Sequence, residues 1–187
     1  MIRRFQLCAL IFSFLIGVNQ ASALDLGAQV GARINQSSVP SGVTAKDQMG
    51  FQGGLLAVVP IIPLIGFRTG GLLVQRDAKA EVTGFGEVTT NRLFFDVPLT
   101  LQANLGIAKL YAGADVGVKV SSSCKFQSLD CTDSMKDDEK AVVFQPVVGA
   151  DISIMPFISL GVFYEPETEY NKEWKQSAYG ITGTIMF

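Results

Sequence analysis

The stretch "KLYAGADVGVKV", Lys109 to Val120, decides the fold. Read with the two-residue period of a strand, Leu110, Ala112, Ala114, Val116, Val118 and Val120 share one face, and Lys109, Tyr111, Gly113, Asp115, Gly117 and Lys119 share the other. One face is apolar without interruption; the other carries glycine, one ring and isolated charges. The pattern recurs along the chain. Leu26, Ala28, Val30, Ala32 and Ile34 oppose Asp25, Gly27, Gln29, Gly31 and Arg33, and Leu93, Phe95, Val97, Leu99 and Leu101 oppose Arg92, Phe94, Asp96, Thr100 and Gln102. Val142, Phe144, Pro146, Val148, Ala150 and Ile152 oppose Gln145, Gly149, Asp151 and Ser153. Ile158, Leu160, Val162 and Tyr164 oppose Ser159, Gly161, Phe163 and Glu165. The closing "YGITGTIMF" sets Tyr179, Ile181, Gly183, Ile185 and Phe187 against Gly180, Thr182, Thr184 and Met186.

Two further strands, near 49–59 and 66–77, complete a count of eight, but their weak alternation leaves the facing of Arg68 and Arg76 open. Short connections near 60–65, 103–107 and 154–157 alternate with longer polar ones near 35–48, 78–89, 121–140 and 167–176. The expected architecture is therefore all-β: an eight-stranded antiparallel up-and-down transmembrane β-barrel, with short turns at one end and long loops at the other. A soluble lipocalin-like barrel, with its apolar face inward, is the competing arrangement.

The charges choose between them. About 10 residues at 3.3 Å, tilted by about 45°, rise about 23 Å, close to the apolar band of an outer-membrane barrel. A slip of one residue would turn Arg33, Arg92, Lys109 and Lys119 toward hydrocarbon, at about 2–4 kcal/mol each near the midplane. Directed inward, these four can neutralise Asp25, Asp96, Asp115, Asp151 and Glu165 in a lumen barely wide enough for its own side chains. An internal lattice that plugs the barrel is the expectation, and a proton or ion path is the sharper alternative.

The 187 residues suffice for one domain, 48% of them hydrophobic. Residues 1–23 read as a cleaved signal peptide: Arg3 and Arg4 precede the apolar run Leu7 to Val18, and Ala21-Ser22-Ala23 forms a small-x-small cleavage site. The expected barrel domain is then 24–187. Cleavage removes two of the 15 basic residues and none of the 17 acidic ones, leaving a net charge of −4 and no basic patch for nucleic acid. It also leaves Cys124 and Cys131, which after export suggest a disulfide worth about 2.5 kcal/mol through its small loop. A metal or reactive-thiol role is the alternative.

The segments "LDLGAQVGARIN", "LFFDVPLTLQANLG" with "KLYAGADVGVKV", and "YGITGTIMF" resemble the outer membrane protein beta-barrel domain family, among the small eight-stranded OmpA/OmpX-like barrels. The resemblance covers most of the mature chain and is carried by strand pattern. It implies an outer-membrane location and contact with outer-membrane lipid and lipopolysaccharide. It also implies insertion by the barrel-assembly machinery, which reads a C-terminal strand ending in an aromatic residue. Tyr179, Ile181, Ile185 and Phe187 match that assembly signal.

No catalytic constellation emerges. The chain has no histidine to serve as general base near neutrality, no G-x-S-x-G elbow and no phosphate-binding lysine loop. Neither cofactor nor metal is expected: the acidic "SLDCTDSMKDDEK", Ser128 to Lys140, lacks the EF-hand spacing. It reads as a solvated loop, and "YNKEWKQ", Tyr170 to Gln176, as an interfacial aromatic anchor. The expected role of this monomeric barrel is structural or surface-interactional: envelope integrity, adhesion or binding through external loops. A narrow channel or transporter of small or hydrophobic solutes is the alternative.

Overall fold

A computed structural model describes residues 24–38, 43–82, 86–126, 129–130, 140–169 and 175–187. The expected leader, Cys131, most of the acidic stretch from Ser128 to Lys140, and 170–174 lie outside the described residues. The strands are β1 (Asp25–Ser38), β2 (Val43–Lys46), β3 (Gln48–Ile62), β4 (Ile65–Gln75), β5 (Ala78–Val82), β6 (Gly86–Leu105), β7 (Ala108–Phe126), β8 (Leu129–Asp130), β9 (Val142–Met155), β10 (Ile158–Glu169) and β11 (Lys175–Met186). Eight of them close a barrel in the order β1-β3-β4-β6-β7-β9-β10-β11, with β11 paired back to β1 from Gly27↔Met186 to Ser38↔Lys175. Every neighbouring pair is antiparallel, so closure leaves no edge within the membrane-spanning wall.

Three tight hairpins share one end with both described termini: Pro63-Leu64, Gly106-Ile107 and Pro156-Phe157. Gly106 has φ +79°, a conformation that favours glycine over any side chain in so short a turn. At the opposite end the long strands continue beyond the wall. β2 and β5 extend the sheet from β6, and β8 extends it from β7, so parts of the connections read as loops are strand.

The outward rows are the apolar rows read from sequence. Val30, Phe144 and Ile181 are 67%, 66% and 64% exposed, which in water would be an unsustainable surface and in a bilayer is the matched one. The lipocalin-like arrangement needs the reverse and is overturned. The fold is that of a transmembrane barrel.

One irregularity sits in the wall. The β4–β6 ladder breaks between Arg68↔Thr100 and Leu72↔Asp96, opposite Pro98, which has no N–H to donate. On the outer face there, the Phe95 ring lies where a side chain on Gly71 would stand, covering the bare backbone.

Candidate functional site

The lumen is the only place where this chain concentrates polar chemistry among its described membrane-spanning residues. Even-numbered positions of β4 point inward, so Arg68 shares its face with Leu72 and Val74, and the buried Arg76 follows just past the strand end. Odd-numbered positions of β1 bring in Gln29, Arg33 and Asn35. β6 supplies Arg92, Phe94, Asp96, Thr100 and Gln102, and β9 supplies Gln145 and Asp151. All are buried.

Three arginines form a ladder, each gripping a carboxylate and lying over a ring. Arg33 meets Glu165 through two bonds, Nη1 to Oε1 at 3.1 Å and Nη2 to Oε2 at 2.6 Å, with its guanidinium 5.7 Å from the Phe163 centroid. Its Nε donates to Asn35 Oδ1 at 2.8 Å and Nη1 donates to Gln52 Oε1 at 3.3 Å. Arg76 pairs with Asp96 at 2.7 Å, reaches Glu165 at 3.4 Å and sits 5.3 Å from the Phe94 ring. Arg68 pairs with Asp151 at 3.1 Å, donates to Gln29 Oε1 at 3.2 Å and stacks 4.1 Å from the Tyr111 ring. Charge, fork geometry and ring faces are satisfied together, the arrangement in which a buried guanidinium is tolerated.

Glycines make room for the rings. A side chain on Gly149 would collide with Tyr111, and one on Gly180 with Phe163. Apolar residues share the lumen too, in the clusters Leu56, Leu72, Val74 and Tyr111, Val147, Phe163. At mid-barrel lies a void of about 20 Å³, room for a water but not for a solute, bordered by Asp115, Glu165, Arg68 and Tyr111. At the short-turn mouth a vestibule of about 260 Å³ opens, lined by Asp25, Gln102, Lys109 and Asp151 and floored by Arg68.

The residues expected in the lumen thus divide. Arg33, Arg92, Asp96, Asp115, Asp151 and Glu165 are buried inside. Asp25 is exposed at the short-turn rim, because β1 only begins there. Lys109 is half-buried at the same mouth, across the ladder from Asp151, and Lys119 is half-buried toward the other end of β7. Arg68 and Arg76, left open by the sequence, carry two of the three rungs. The signal for them was available: a basic residue in a lipid-facing strand must turn inward, and positions 68 and 76 have the same parity. Tyr179, Ile181, Ile185 and Phe187 stand on the outer side of the last strand and at its end. Cys124 is buried in β7, and its expected partner lies outside the described residues.

Beyond the wall, β2, β5 and the start of β6 carry an exposed ion cluster: Lys46–Glu81 at 2.8 Å, Lys46–Glu87 at 3.7 Å and Lys79–Glu87 at 2.6 Å. Glu87 is held below its ordinary carboxyl range by the bond from Lys79, and Lys46 is held above its ordinary value by Glu81.

A closed wall, an apolar belt and a lumen packed by its own ion pairs define a small eight-stranded transmembrane barrel. Solved structures with this fold include Ail, the attachment invasion locus protein of Yersinia pestis, at 13% identity and TM-score 0.53, the match covering 88% of this chain and 99% of that one. The outer membrane protein OprG from Pseudomonas aeruginosa is similar at 15% identity and TM-score 0.50, over 89% and 97% of the two chains. The expected resemblance to the small outer-membrane barrels therefore holds at the level of fold. No protein-family model matches the chain, and no curated protein sequence does.

Proposed function

We propose that this chain is an exported outer-membrane protein whose barrel is a sealed, rigid mount and whose long-loop end makes its specific contacts at the cell surface. The observation that carries this reading is the packed lumen, whose central void of about 20 Å³ gives a solute no passage. A transport role is the rival, favoured by the vestibule, but that vestibule ends at the Arg68–Asp151 pair. No reaction belongs to the reading, since the lumen carboxylates Asp96, Asp151 and Glu165 are each engaged by an arginine.

Residues 1–23 act as the leader, Cys124 and Cys131 form a disulfide that ties the β7 extension to its loop, and the monomer is the working unit. Outer-membrane lipid and lipopolysaccharide surround the belt. The barrel-assembly machinery engages β11 through Tyr179, Ile181, Ile185 and Phe187. The solved Ail complex contains the heparin analogue sucrose octasulfate. In this chain the alternation of Lys46 and Lys79 with Glu81 and Glu87 makes a mixed-charge surface, better suited to a protein or a zwitterionic partner than to a polysulfate.

Carbonate-washed membrane fractionation, heat-dependent gel mobility and planar-bilayer recording test the reading together. The expected result is a carbonate-resistant, heat-modifiable band with no conductance steps above those of a bare bilayer. Carbonate extraction, or reproducible conductance steps, refutes it.

A further inference from the structure

We propose that the short-turn end of the barrel is a lipid-anchoring rim: Leu64, Ile107, Phe157 and Phe187 sit within the headgroup–acyl boundary of the adjacent leaflet instead of projecting into water. It rests on the reading of the barrel as membrane-spanning.

The tips of the three hairpins and the last residue are all apolar, and they are 61%, 73%, 51% and 77% exposed. Their flanks are apolar as well: Ile61, Ile62 and Ile65 beside the first turn, Leu105 beside the second, and Ile154 and Met155 beside the third. Ile107 and Phe187 continue the outward rows of their own strands without a charged residue between, as in Leu99, Leu101, Leu105 and Ile107 along β6 and its turn, and Leu64 and Phe157 stand next to the outward Ile65 and Ile158. The rim is thus continuous with the lipid-facing belt.

The length agrees. From Leu93 to Leu105 the outward row of β6 rises about 28 Å at ordinary strand rise and tilt, somewhat more than the roughly 25 Å band it must match. The excess has to lie at one end. At the long-loop end, Lys46, Lys79, Glu81 and Glu87 stand exposed or half-exposed in ion pairs and require water. At the short-turn end the charged residues Asp25 and Lys109 instead line the vestibule on the barrel axis. That end is therefore polar toward the axis and apolar around its circumference, the division expected of a rim held in an interface and hydrated only through its mouth.

Single-tryptophan variants test this in a Trp174→Phe background. Leu64→Trp, Ile107→Trp and Phe157→Trp are folded separately into phosphatidylcholine vesicles, with Val162→Trp on the belt and Thr44→Trp on the external sheet as references. Heat-dependent gel mobility verifies folding. The expected result is quenching of the three tips by lipids brominated near the acyl carbonyl, and iodide quenching at least about fivefold weaker than at Thr44→Trp, as for aromatic residues at a membrane interface. Tips quenched by iodide as strongly as Thr44→Trp overturn the inference. So do tips shielded from iodide yet untouched by bromolipid, a result that assigns the rim to a protein contact. If Val162→Trp escapes lipids brominated at mid-chain, the transmembrane reading itself fails; if Val162→Trp is quenched by them while the tips escape the carbonyl-level bromolipid, only the rim inference fails. Should a tryptophan variant not fold, a nitroxide at Ile107→Cys in a Cys124→Ser, Cys131→Ser background, read by oxygen against nickel-chelate accessibility, decides the same question.

Discussion

Replacing Glu165 with alanine removes the acceptor shared by two rungs of the ladder. Arg33, 1% exposed, loses both carboxylate bonds and keeps its hydrogen bonds to Asn35 and Gln52 and its place over the Phe163 ring, none of which carries a compensating charge, whereas Arg76 still holds Asp96. Removing one partner of a buried ion pair costs about 3–5 kcal/mol, because the remaining charge stays desolvated. Glu165→Ala is expected in that range, read as the shift in urea midpoint of vesicle-folded protein followed by circular dichroism and gel mobility. Glu169→Ala, an exposed carboxylate on the same strand, is expected to change stability by less than about 0.5 kcal/mol. The double variant Arg33→Met with Glu165→Leu replaces charge by shape, so it is expected to be more stable than Glu165→Ala alone. A loss below about 1 kcal/mol for the single variant, or a double variant less stable than it, refutes the view that the ladder holds the lumen together.

Other outcomes follow from the wall and the external sheet. Val162→Arg, on the outer face, is expected to cost about 2–4 kcal/mol near the midplane and to lower folding yield in vesicles, where a surface change on a soluble protein costs under about 0.5 kcal/mol. Gly149→Ala drives a methyl into the Tyr111 ring and is expected to cost about 1–3 kcal/mol by overpacking, measured by the same urea titration. Because Glu87 is held below its ordinary value of 4.5, its contribution to the β2–β5–β6 extension is fully present above that pH and fades as pH falls through the depressed value. Lys46, raised above 10.5, contributes fully below that pH and loses its contribution only as pH rises through the raised value. Backbone chemical shifts of Val43–Lys46 in nanodiscs, followed from pH 6 downward, are therefore expected to move toward random-coil positions only once the pH has fallen below the ordinary glutamate value of 4.5.

The strands that face lipid on one side and charge on the other were legible because the bilayer forbids a slipped register. In β7 the lone Asp115 among valines and alanines fixes which way every neighbour points. β4 was not legible in the same way: its inner face mixes Arg68 with Leu72 and Val74, and its outer face mixes Phe67 and Leu73 with Thr69 and Gly71, so hydrophobicity hardly alternates. The inner apolar residues exist because each guanidinium lies on a ring that itself needs apolar support, a three-dimensional demand that no two-residue period reveals. Asp25 was placed inward by parity alone, yet depth along the barrel axis decides exposure at a strand's first residue. β2, β5 and β8 escaped notice because β5 and β8 pair with the overhanging ends of β6 and β7, and β2 pairs in turn with β5.

The β1–β11 seam joins segments from opposite extremes of the described chain, and Phe187 N donates to Leu26 O at 2.8 Å. The cylinder therefore cannot form progressively from its beginning. Until the final segment arrives, β1 and β10 each present a ribbon of unmatched amides and carbonyls that hydrocarbon does not tolerate. That joint is the longest-range pairing in the wall, the kind of contact that slows folding. A truncation that shortens β11 is expected to lower the folded yield in vesicles, because it leaves the other seven strands of the wall without a closing partner.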